Sequence, residues 1–194
     1  MDEQRLIQTI TSEILKRLQG EAIGQNTGGP LLGSGYRVPM DTKELAQYID
    51  HTMLKPDAVT ATFDQLCSEA VQYRFKSVCV NSSWVPYVAK KLQGTRVQVC
   101  SVIGFPLGAM TSRSKAFETR EAIEHGASEI DMVLAVGKLK AREYAYVEED
   151  ILAVRRATRS NTILKVIIET SMLTQEEKVL ACQLAKRAGA NFVK

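Results

Sequence analysis

Two patterns of apolar residues alternate along most of this chain. Short, nearly continuous apolar runs are followed by longer segments in which apolar residues recur every three or four positions. The first pattern is typical of strands buried on both faces, and the second of amphipathic helices that cover a sheet. The alternation therefore predicts an α/β fold built on a parallel sheet.

Six strand and helix units can be delimited from this pattern. Strands are predicted over residues 50–54, 77–80, 96–104, 130–136 and 162–169, and a further strand begins at residue 192. Helices are predicted over residues 43–49, 60–73, 84–92, 112–125, 141–156 and 175–188. Gly126 and Gly189 follow two of these helices, at positions where a residue in the left-handed conformation commonly ends the last turn.

Two architectures are compatible with repeated βα units, namely a doubly wound sheet and a (β/α)8 TIM barrel. No glycine fingerprint for a dinucleotide follows the first predicted strand, which disfavours the doubly wound sheet. The (β/α)8 TIM barrel is therefore the predicted fold. Because a complete barrel takes eight units and typically about 250 residues, the 194 residues present here are expected to form an incomplete barrel of about six units. The chain is therefore interpreted as a truncated product or a fragment.

The N-terminal part of the chain has a different pattern. Residues 1–18 are predicted to form one amphipathic helix, because their apolar residues share one helical face: Leu6, Ile7, Ile10, Ile14, Leu15 and Leu18. Residues 19–40 contain half of the 12 glycines and are interpreted as a flexible linker, so residues 41–194 form the barrel domain. A short helix must bury its apolar face, and both its own domain and a second copy in a homodimer are candidate partners.

Composition excludes several classes of function. The chain has 25 Lys and Arg against 22 Asp and Glu, well mixed along the sequence, so no nucleic-acid partner is expected. The longest apolar runs are far shorter than the roughly 20 residues of a membrane-spanning helix, so no membrane association is expected. The four cysteines form no C-x-x-C pair and only two histidines are present, so no metal site is predicted. A reducing cytoplasm is the expected location.

Charged residues interrupt the apolar pattern of three successive predicted strands. Asp131 lies in the fourth, Lys165 in the fifth and Lys194 at the end of the sixth. Alternation also places Ile167 and Glu169 on the face of Lys165. Because burying an unpaired ammonium is costly, Asp131 is expected to pair with Lys165 in the barrel interior.

Two interpretations of this charged group remain open on the residues alone. In the first, Asp131 and Lys165 form a structural ion pair and Lys194 is solvated at a strand end. In the second, the group is a Schiff-base site, in which a lysine amine attacks a carbonyl, a second cation lowers the pKa of that amine, and the carboxylate moves protons.

Other side chains with reactive or aromatic groups are given structural roles. His51 is expected to face away from Asp50 and to be hydrogen bonded, and His125 to lie on the surface at a helix end. Cys79 is expected to pack as a neutral thiol. Trp84 and Tyr87 are expected to cover the sheet.

Six segments of the chain, in their order and spacing, resemble the deoxyribose-phosphate aldolase family. They lie between Thr42 and Lys194 and comprise residues 49–56 (IDHTMLKP), 77–81 (SVCVN), 102–108 (VIGFPLG), 129–133 (EIDMV), 164–170 (LKVIIET) and 188–194 (AGANFVK).

The resemblance implies roles for five residues. Lys194 corresponds to the Schiff-base lysine, Lys165 to the cation that tunes it, and Asp131 to the acid/base residue of the proton relay. Asp50 and Thr52 correspond to residues near the substrate hydroxyls. The family reversibly cleaves 2-deoxyribose 5-phosphate to acetaldehyde and glyceraldehyde 3-phosphate, with no metal and no organic cofactor, so sugar-phosphate and aldehyde substrates are the implied partners.

The chain departs from the family pattern after Lys194. In the family a Thr-Ser-Thr-Gly loop follows the lysine, and two further βα units supply a relay lysine and backbone amides for the phosphate. The sequence ends at Lys194, where the α-carboxylate is expected to raise the pKa of the amine, so little turnover is expected from the chain as written. Alternatives are an inert barrel fragment that docks to a shell or another partner, and another Schiff-base sugar-phosphate aldolase.

The N-terminal segment carries a second resemblance. The apolar pattern of residues 1–18, followed by the Gly/Pro-rich segment 19–40, is similar to the encapsulation peptides that direct enzymes into bacterial microcompartments. This resemblance implies a shell protein as the partner of residues 1–18, and the interior of a microcompartment as the location within the cytoplasm.

Overall fold

The computed structural model describes residues 42–194. The helix predicted over residues 1–18, its shell-protein partner and the linker over residues 19–40 lie outside the described residues.

Strands and helices alternate throughout the described part of the chain. The strands are β1 (Asp50–Met53), β2 (Ser77–Val80), β3 (Gln98–Ile103), β4 (Glu129–Val133), β5 (Ile163–Ile167) and β6 (Phe192–Val193). The helices are α1 (Thr42–Ala46), α2 (Thr60–Tyr73), α3 (Val85–Leu92), α4 (Ser112–Glu124), α5 (Val136–Lys140), α6 (Tyr144–Ala157) and α7 (Gln175–Arg187). Short 3-10 turns follow β2 and β5, at Ser82–Trp84 and Thr170–Met172. Within residues 42–194, no helix is both long and apolar enough to cross a bilayer.

The six strands form one parallel sheet in which each strand pairs with the next along the chain, in the order β1 to β6. A doubly wound sheet reverses its strand order at a switch point, whereas a (β/α)8 barrel keeps sequential order. The order therefore confirms the predicted α/β barrel-type fold with six units.

The two faces of the sheet bury different residues. The outer face packs against the helices through fully buried residues such as Val78, Ile130 and Leu164, which meet helix residues such as Phe63 and Ile151. The inner face carries a separate small apolar cluster of Cys79, Cys100 and Val102, against which Leu54 and Ile167 pack. Strand alternation thus leaves the inner face for the polar groups of the site.

Helix ends agree with the sequence signals where those signals are present. Thr174 and Glu177 form a capping box at the start of α7. The two glycines expected to end helices, Gly126 and Gly189, have φ values of +113° and +82°.

The long helix predicted over residues 141–156 is wrong at its start, and the strand predicted to reach Val136 ends earlier. β4 ends at Val133, Val136 begins α5, and Arg142 has a φ of +61° before α6 begins at Tyr144. The N–H groups of Arg142 and Glu143 donate to the carbonyls of Leu139 and Lys138, which closes α5 with a left-handed C-terminal motif. Residues 137–140, which the sequence pattern leaves between a strand and a helix, form most of α5, and the predicted helix start at residue 141 lies in the turn that follows it.

The placement predicted for Glu169 is also wrong. β5 ends at Ile167, and Glu169 has a φ of +54° ahead of a 3-10 turn. Its carboxylate accepts a hydrogen bond of 3.0 Å from the Ser171 hydroxyl. Glu169 therefore does not continue the strand face that carries Lys165.

Candidate active site

The inner face of the sheet brings together charged side chains from four strands. Asp50 is the first residue of β1, Glu129 and Asp131 lie on β4, Lys165 lies on β5, and Lys194 directly follows β6. Register explains their proximity, because Asp131 lies directly opposite Lys165, whose other neighbour is the first residue of β6. Alternation then turns these side chains to the same side of the sheet.

Lys165 is the centre of this cluster. Its Nζ atom lies 2.8 Å from Asp50 Oδ2, 2.8 Å from Glu129 Oε2 and 3.3 Å from Asp131 Oδ1. Burial by itself lowers the pKa of Lys165, but the surrounding acidic groups outweigh it and raise that pKa above its ordinary value. Lys165 is therefore a fixed ammonium.

Lys194 shares the carboxylate of Asp131 with Lys165. Its Nζ atom lies 2.8 Å from Asp131 Oδ2 and 3.8 Å from Asp50 Oδ2, and its side chain is 42% exposed. The structure thus brings together the three predicted residues Asp131, Lys165 and Lys194. Asp131 is fully buried and offers one oxygen to each lysine.

The pKa of Lys194 is raised, which is the direction expected for the chain as written, and is not lowered as a Schiff-base lysine beside a second cation would require. Burial lowers the pKa, but the hydrogen bond and the charge of Asp131 outweigh burial and raise the pKa of Lys194. The physical reason is charge compensation: Lys165 is already surrounded by three carboxylates, whereas the closest charged partner of Lys194 is Asp131. The amine is protonated at rest, with a proton acceptor at hydrogen-bond distance.

Asp50 belongs to the lysine cluster, while Thr52 lies at its edge. Asp50 binds Lys165 through Oδ2 and accepts a 2.7 Å hydrogen bond from the Ser77 hydroxyl through Oδ1. Burial raises the pKa of Asp50, but these hydrogen bonds outweigh it and lower that pKa. Thr52 is exposed and donates its hydroxyl to the Asp50 carbonyl oxygen at 2.8 Å.

Three further residues of the site were not identified from the sequence. Glu129 is buried and also lies 3.7 Å from the exposed ammonium of Lys76. It shares the inner face with Asp131, so strict alternation from Asp131 could have identified it. Ser77 could have been identified only from its register opposite Asp50, and Cys100 from its register opposite Cys79.

The structural roles given to the other side chains agree with their contacts. His51 Nε2 lies 2.7 Å from Glu69 Oε2 of α2, away from the lysine cluster. The Trp84 ring stacks on Phe63 with the ring centroids 4.0 Å apart, and the Tyr87 hydroxyl donates to Asp64.

The remaining two placements concern burial. His125 is exposed at the end of α4. Cys79 is buried, and it lies on the inner face of the sheet.

The cluster has the groups required for covalent chemistry on a carbonyl. Lys194 supplies a partly exposed amine, Asp131 a carboxylate in contact with that amine, and Lys165 a fixed positive charge beside the carboxylate. A nucleophile in contact with a base that a third group orients is the arrangement expected of nucleophilic catalysis. As potential metal ligands, Cys79, Cys100 and Asp131 have donor atoms within 4.8 Å of one another.

Sequence comparisons agree with this chemistry. The model of the DeoC/LacD family aldolases matches residues 39–194. A deoxyribose-phosphate aldolase from Clostridium perfringens is 57% identical over 155 residues, which are 80% of this chain and 69% of that protein. A deoxyribose-phosphate aldolase from Finegoldia magna is 57% identical over 151 residues, which are 78% of this chain and 70% of that protein.

Solved structures show the same similarity. A protein from Coccidioides immitis superposes with a TM-score of 0.78 at 40% identity, covering 94% of this chain and 70% of the other. The deoxyribose-phosphate aldolase from Aeropyrum pernix, a tetramer, superposes with a TM-score of 0.72 at 28% identity, covering 79% of this chain and 64% of the other.

Proposed function

Because this chain belongs to the DeoC/LacD family of aldolases, we propose that it catalyses the reversible cleavage of 2-deoxy-D-ribose 5-phosphate to acetaldehyde and D-glyceraldehyde 3-phosphate. The reaction proceeds through a Schiff base on Lys194. The observation that carries this proposal is the distance of 2.8 Å between Lys194 Nζ and the buried carboxylate of Asp131, which Lys165 holds from its other side.

The first step is attack of the lysine amine on the aldehyde carbon, C1, of the open-chain sugar. Lys194 gives a proton to Asp131, and the neutral amine forms a C–N bond with C1. The former carbonyl oxygen takes up protons and leaves as water, which yields an iminium ion. Asp131 is the group in contact with Lys194 Nζ, so in the native chain it accepts this proton. Without that carboxylate the pKa of the amine is no longer raised, and the proton can leave to solvent instead.

Cleavage then uses the iminium as an electron sink. The hydroxyl on C3 loses its proton, the C2–C3 bond breaks, and its electron pair moves toward the iminium nitrogen. Glyceraldehyde 3-phosphate leaves and an enamine remains on Lys194. Protonation of the enamine at C2 and hydrolysis release acetaldehyde and restore the lysine, and every atom of the sugar is accounted for in the two products.

The remaining residues position the reacting groups. Lys165 contacts three carboxylates and holds Asp131 toward Lys194, so we assign it the role of a fixed cation. Thr52 lies exposed at the edge of the cluster, two residues after Asp50 on the same strand face. We assign Asp50 and Thr52 to contacts with the hydroxyl groups of the sugar.

A trapping experiment tests the covalent step. Incubation of the full chain with 2-deoxyribose 5-phosphate and a hydride reductant is expected to leave one reduced adduct, on the peptide that contains Lys194. Lys194→Met is expected to abolish the adduct, whereas Lys186→Met on the exposed face of α7 keeps it. An adduct on another lysine, or none, contradicts the proposal, and stronger trapping of ribose 5-phosphate assigns the site to a different sugar-phosphate aldolase.

Exchange of the acetaldehyde methyl protons provides a second measurement of the same site. Acetaldehyde bound as an iminium loses a methyl proton to form the enamine and regains one from solvent. In D2O the methyl group therefore becomes deuterated, which NMR detects. This partial reaction requires the amine and a base and does not involve the phosphate group.

The microcompartment location is a separate proposal, supported by the helical pattern of residues 1–18 alone. A fluorescent carrier fused to residues 1–20 is expected to co-purify with microcompartment shells, because the apolar face of the helix would bind the shell protein. A variant of the fusion with Ile10 and Ile14 both changed to Asp is the matched control and is not expected to co-purify with the shells. If the fusion with the native residues 1–20 is spread evenly through the cell, the proposed targeting is contradicted.

A further inference from the structure

Two buried thiols lie beside the lysine cluster and have no part in the proposed reaction. Cys79 on β2 and Cys100 on β3 are direct neighbours in register, and both are fully buried on the inner face of the sheet. Their Sγ atoms and a carboxylate oxygen of Asp131 lie within 4.8 Å of one another. Both cysteines are free thiols.

The geometry is close to that of a tetrahedral metal site. With Zn–S bonds of about 2.3 Å and Zn–O bonds of about 2.1 Å, tetrahedral ligand atoms are about 3.5 to 3.8 Å apart. The three donor atoms, which lie within 4.8 Å of one another, therefore need to approach by about 1.3 Å at most. Three protein ligands leave a fourth position for water, the arrangement of open zinc sites.

Charge does not prevent binding, although two lysines are close. A divalent ion that binds both thiols displaces two protons, so the net charge of the pocket is unchanged. Lys165 Nζ lies 4.0 Å from Cys100 Sγ and would stabilise the thiolate that forms. The neighbouring apolar residues Val102, Leu54 and Ile167 lower the local polarity, which strengthens the interaction between the metal ion and its ligands.

We propose that Cys79, Cys100 and Asp131 form a binding site for one thiophilic divalent cation, of the class of Zn²⁺ or Cd²⁺, and that occupancy inhibits the aldolase site. The ion takes Asp131, which otherwise accepts a hydrogen bond from Lys194, so the amine loses its proton acceptor. The inhibitory half of this inference rests on the proposed function, whereas the binding half does not. Metal-binding sequence motifs, which rely on ligands at short fixed spacings, do not indicate this cation site because its ligands come from three separate strands.

Cadmium binding to the reduced full chain tests the site directly. Titration with Cd²⁺ is expected to produce thiolate-to-cadmium absorption in the ultraviolet that saturates at one ion per chain. Cys100→Ser is expected to weaken binding more than about a hundredfold, whereas Cys182→Ser, on the helix α7 outside the sheet, leaves it unchanged. Unchanged affinity in Cys100→Ser overturns the inference.

Further measurements keep the inference testable if Cys100→Ser does not fold, which circular dichroism would reveal. X-ray absorption of the zinc-loaded native chain is expected to show two sulfur ligands with oxygen ligands, and a site without sulfur overturns the inference. Cd²⁺ is also expected to stop deuterium exchange into acetaldehyde, with recovery on addition of a chelator. Exchange that continues at saturating Cd²⁺ overturns the inhibitory half. Absence of exchange before any metal is added overturns the proposed function instead, and leaves the absorption measurement valid.

Discussion

Asp131→Asn lowers the rate of deuterium exchange into acetaldehyde by about 10²- to 10⁴-fold, the range of a general acid–base group. Asparagine keeps the shape of the side chain but cannot accept the proton that the methyl carbon must lose. Lys165 retains Asp50 and Glu129 as ion-pair partners at 2.8 Å, so the variant is expected to fold. The exposed Asp57→Asn is the matched control and exchanges at the native rate.

The same substitution is expected to preserve formation of the Schiff base. Asp131 is the main group that raises the pKa of Lys194 against the effect of burial. Once that carboxylate is removed, burial dominates and the pKa falls, so a larger fraction of the amine is neutral at a given pH. Reductive trapping by Asp131→Asn therefore persists, and its rise with pH moves to lower pH than in the native chain.

The decisive outcome is that Asp131→Asn slows deuterium exchange into acetaldehyde but leaves reductive trapping intact. A loss of trapping equal to the loss of exchange would mean that Asp131 serves only to hold Lys194 in place. An unchanged trapping profile would mean that Asp131 does not control the protonation of Lys194. A pH series of both rates on the native chain and on the variant distinguishes these outcomes.

The fold could be predicted because its signals are local. Apolar runs such as Val78 to Val80 and the helical spacing of Phe63, Leu66 and Ala70 depend only on near neighbours, and the structure shows the strand and helix they indicate. The missed turns at Arg142 and Glu169 have positive φ without glycine. The turn at Arg142 is closed by backbone hydrogen bonds that any residue type can make, so no local residue type indicates it.

The site could be predicted only in part because its electrostatics are collective. Asp131 and Lys165 were paired correctly from alternation and adjacency alone. The sequence indicates the direction of the pKa shift of Lys194 but not its cause, since that cause depends on how Asp50, Glu129 and Asp131 divide their charge between two lysines. Proximity of carboxylates from non-adjacent strands follows from barrel curvature, which a linear pattern does not contain.

A second large effect is expected outside the lysine cluster, at the buried ion pair between α4 and α6. Lys115 and Asp150 are both fully buried, with Lys115 Nζ 2.6 Å from Asp150 Oδ2. Lys115 Nζ also donates to the carbonyl oxygen of Val133 at 3.0 Å, two residues beyond Asp131 on β4. A Cβ atom on Gly104 would lie 3.0 Å from Lys115 Cε, so the lysine chain passes directly over that glycine.

Lys115→Met is expected to lower the free energy of unfolding by about 3–5 kcal/mol, the cost of leaving one buried charge without its partner. Methionine has nearly the volume of the lysine chain, so the loss reports charge rather than a cavity. Urea denaturation of the full chain measures it, and Lys90→Met on the exposed side of α3 is the matched control.

The double variant Lys115→Met with Asp150→Leu separates charge from packing. Asp150 Oδ1 has no hydrogen-bond partner among the residues that the structure describes, so the native pair is incompletely satisfied. Replacing both charges by apolar groups of similar size is then expected to restore most of the lost stability. A double variant as unstable as Lys115→Met alone would show instead that the hydrogen bond to Val133, which supports the end of β4 beside Asp131, is the contribution that matters.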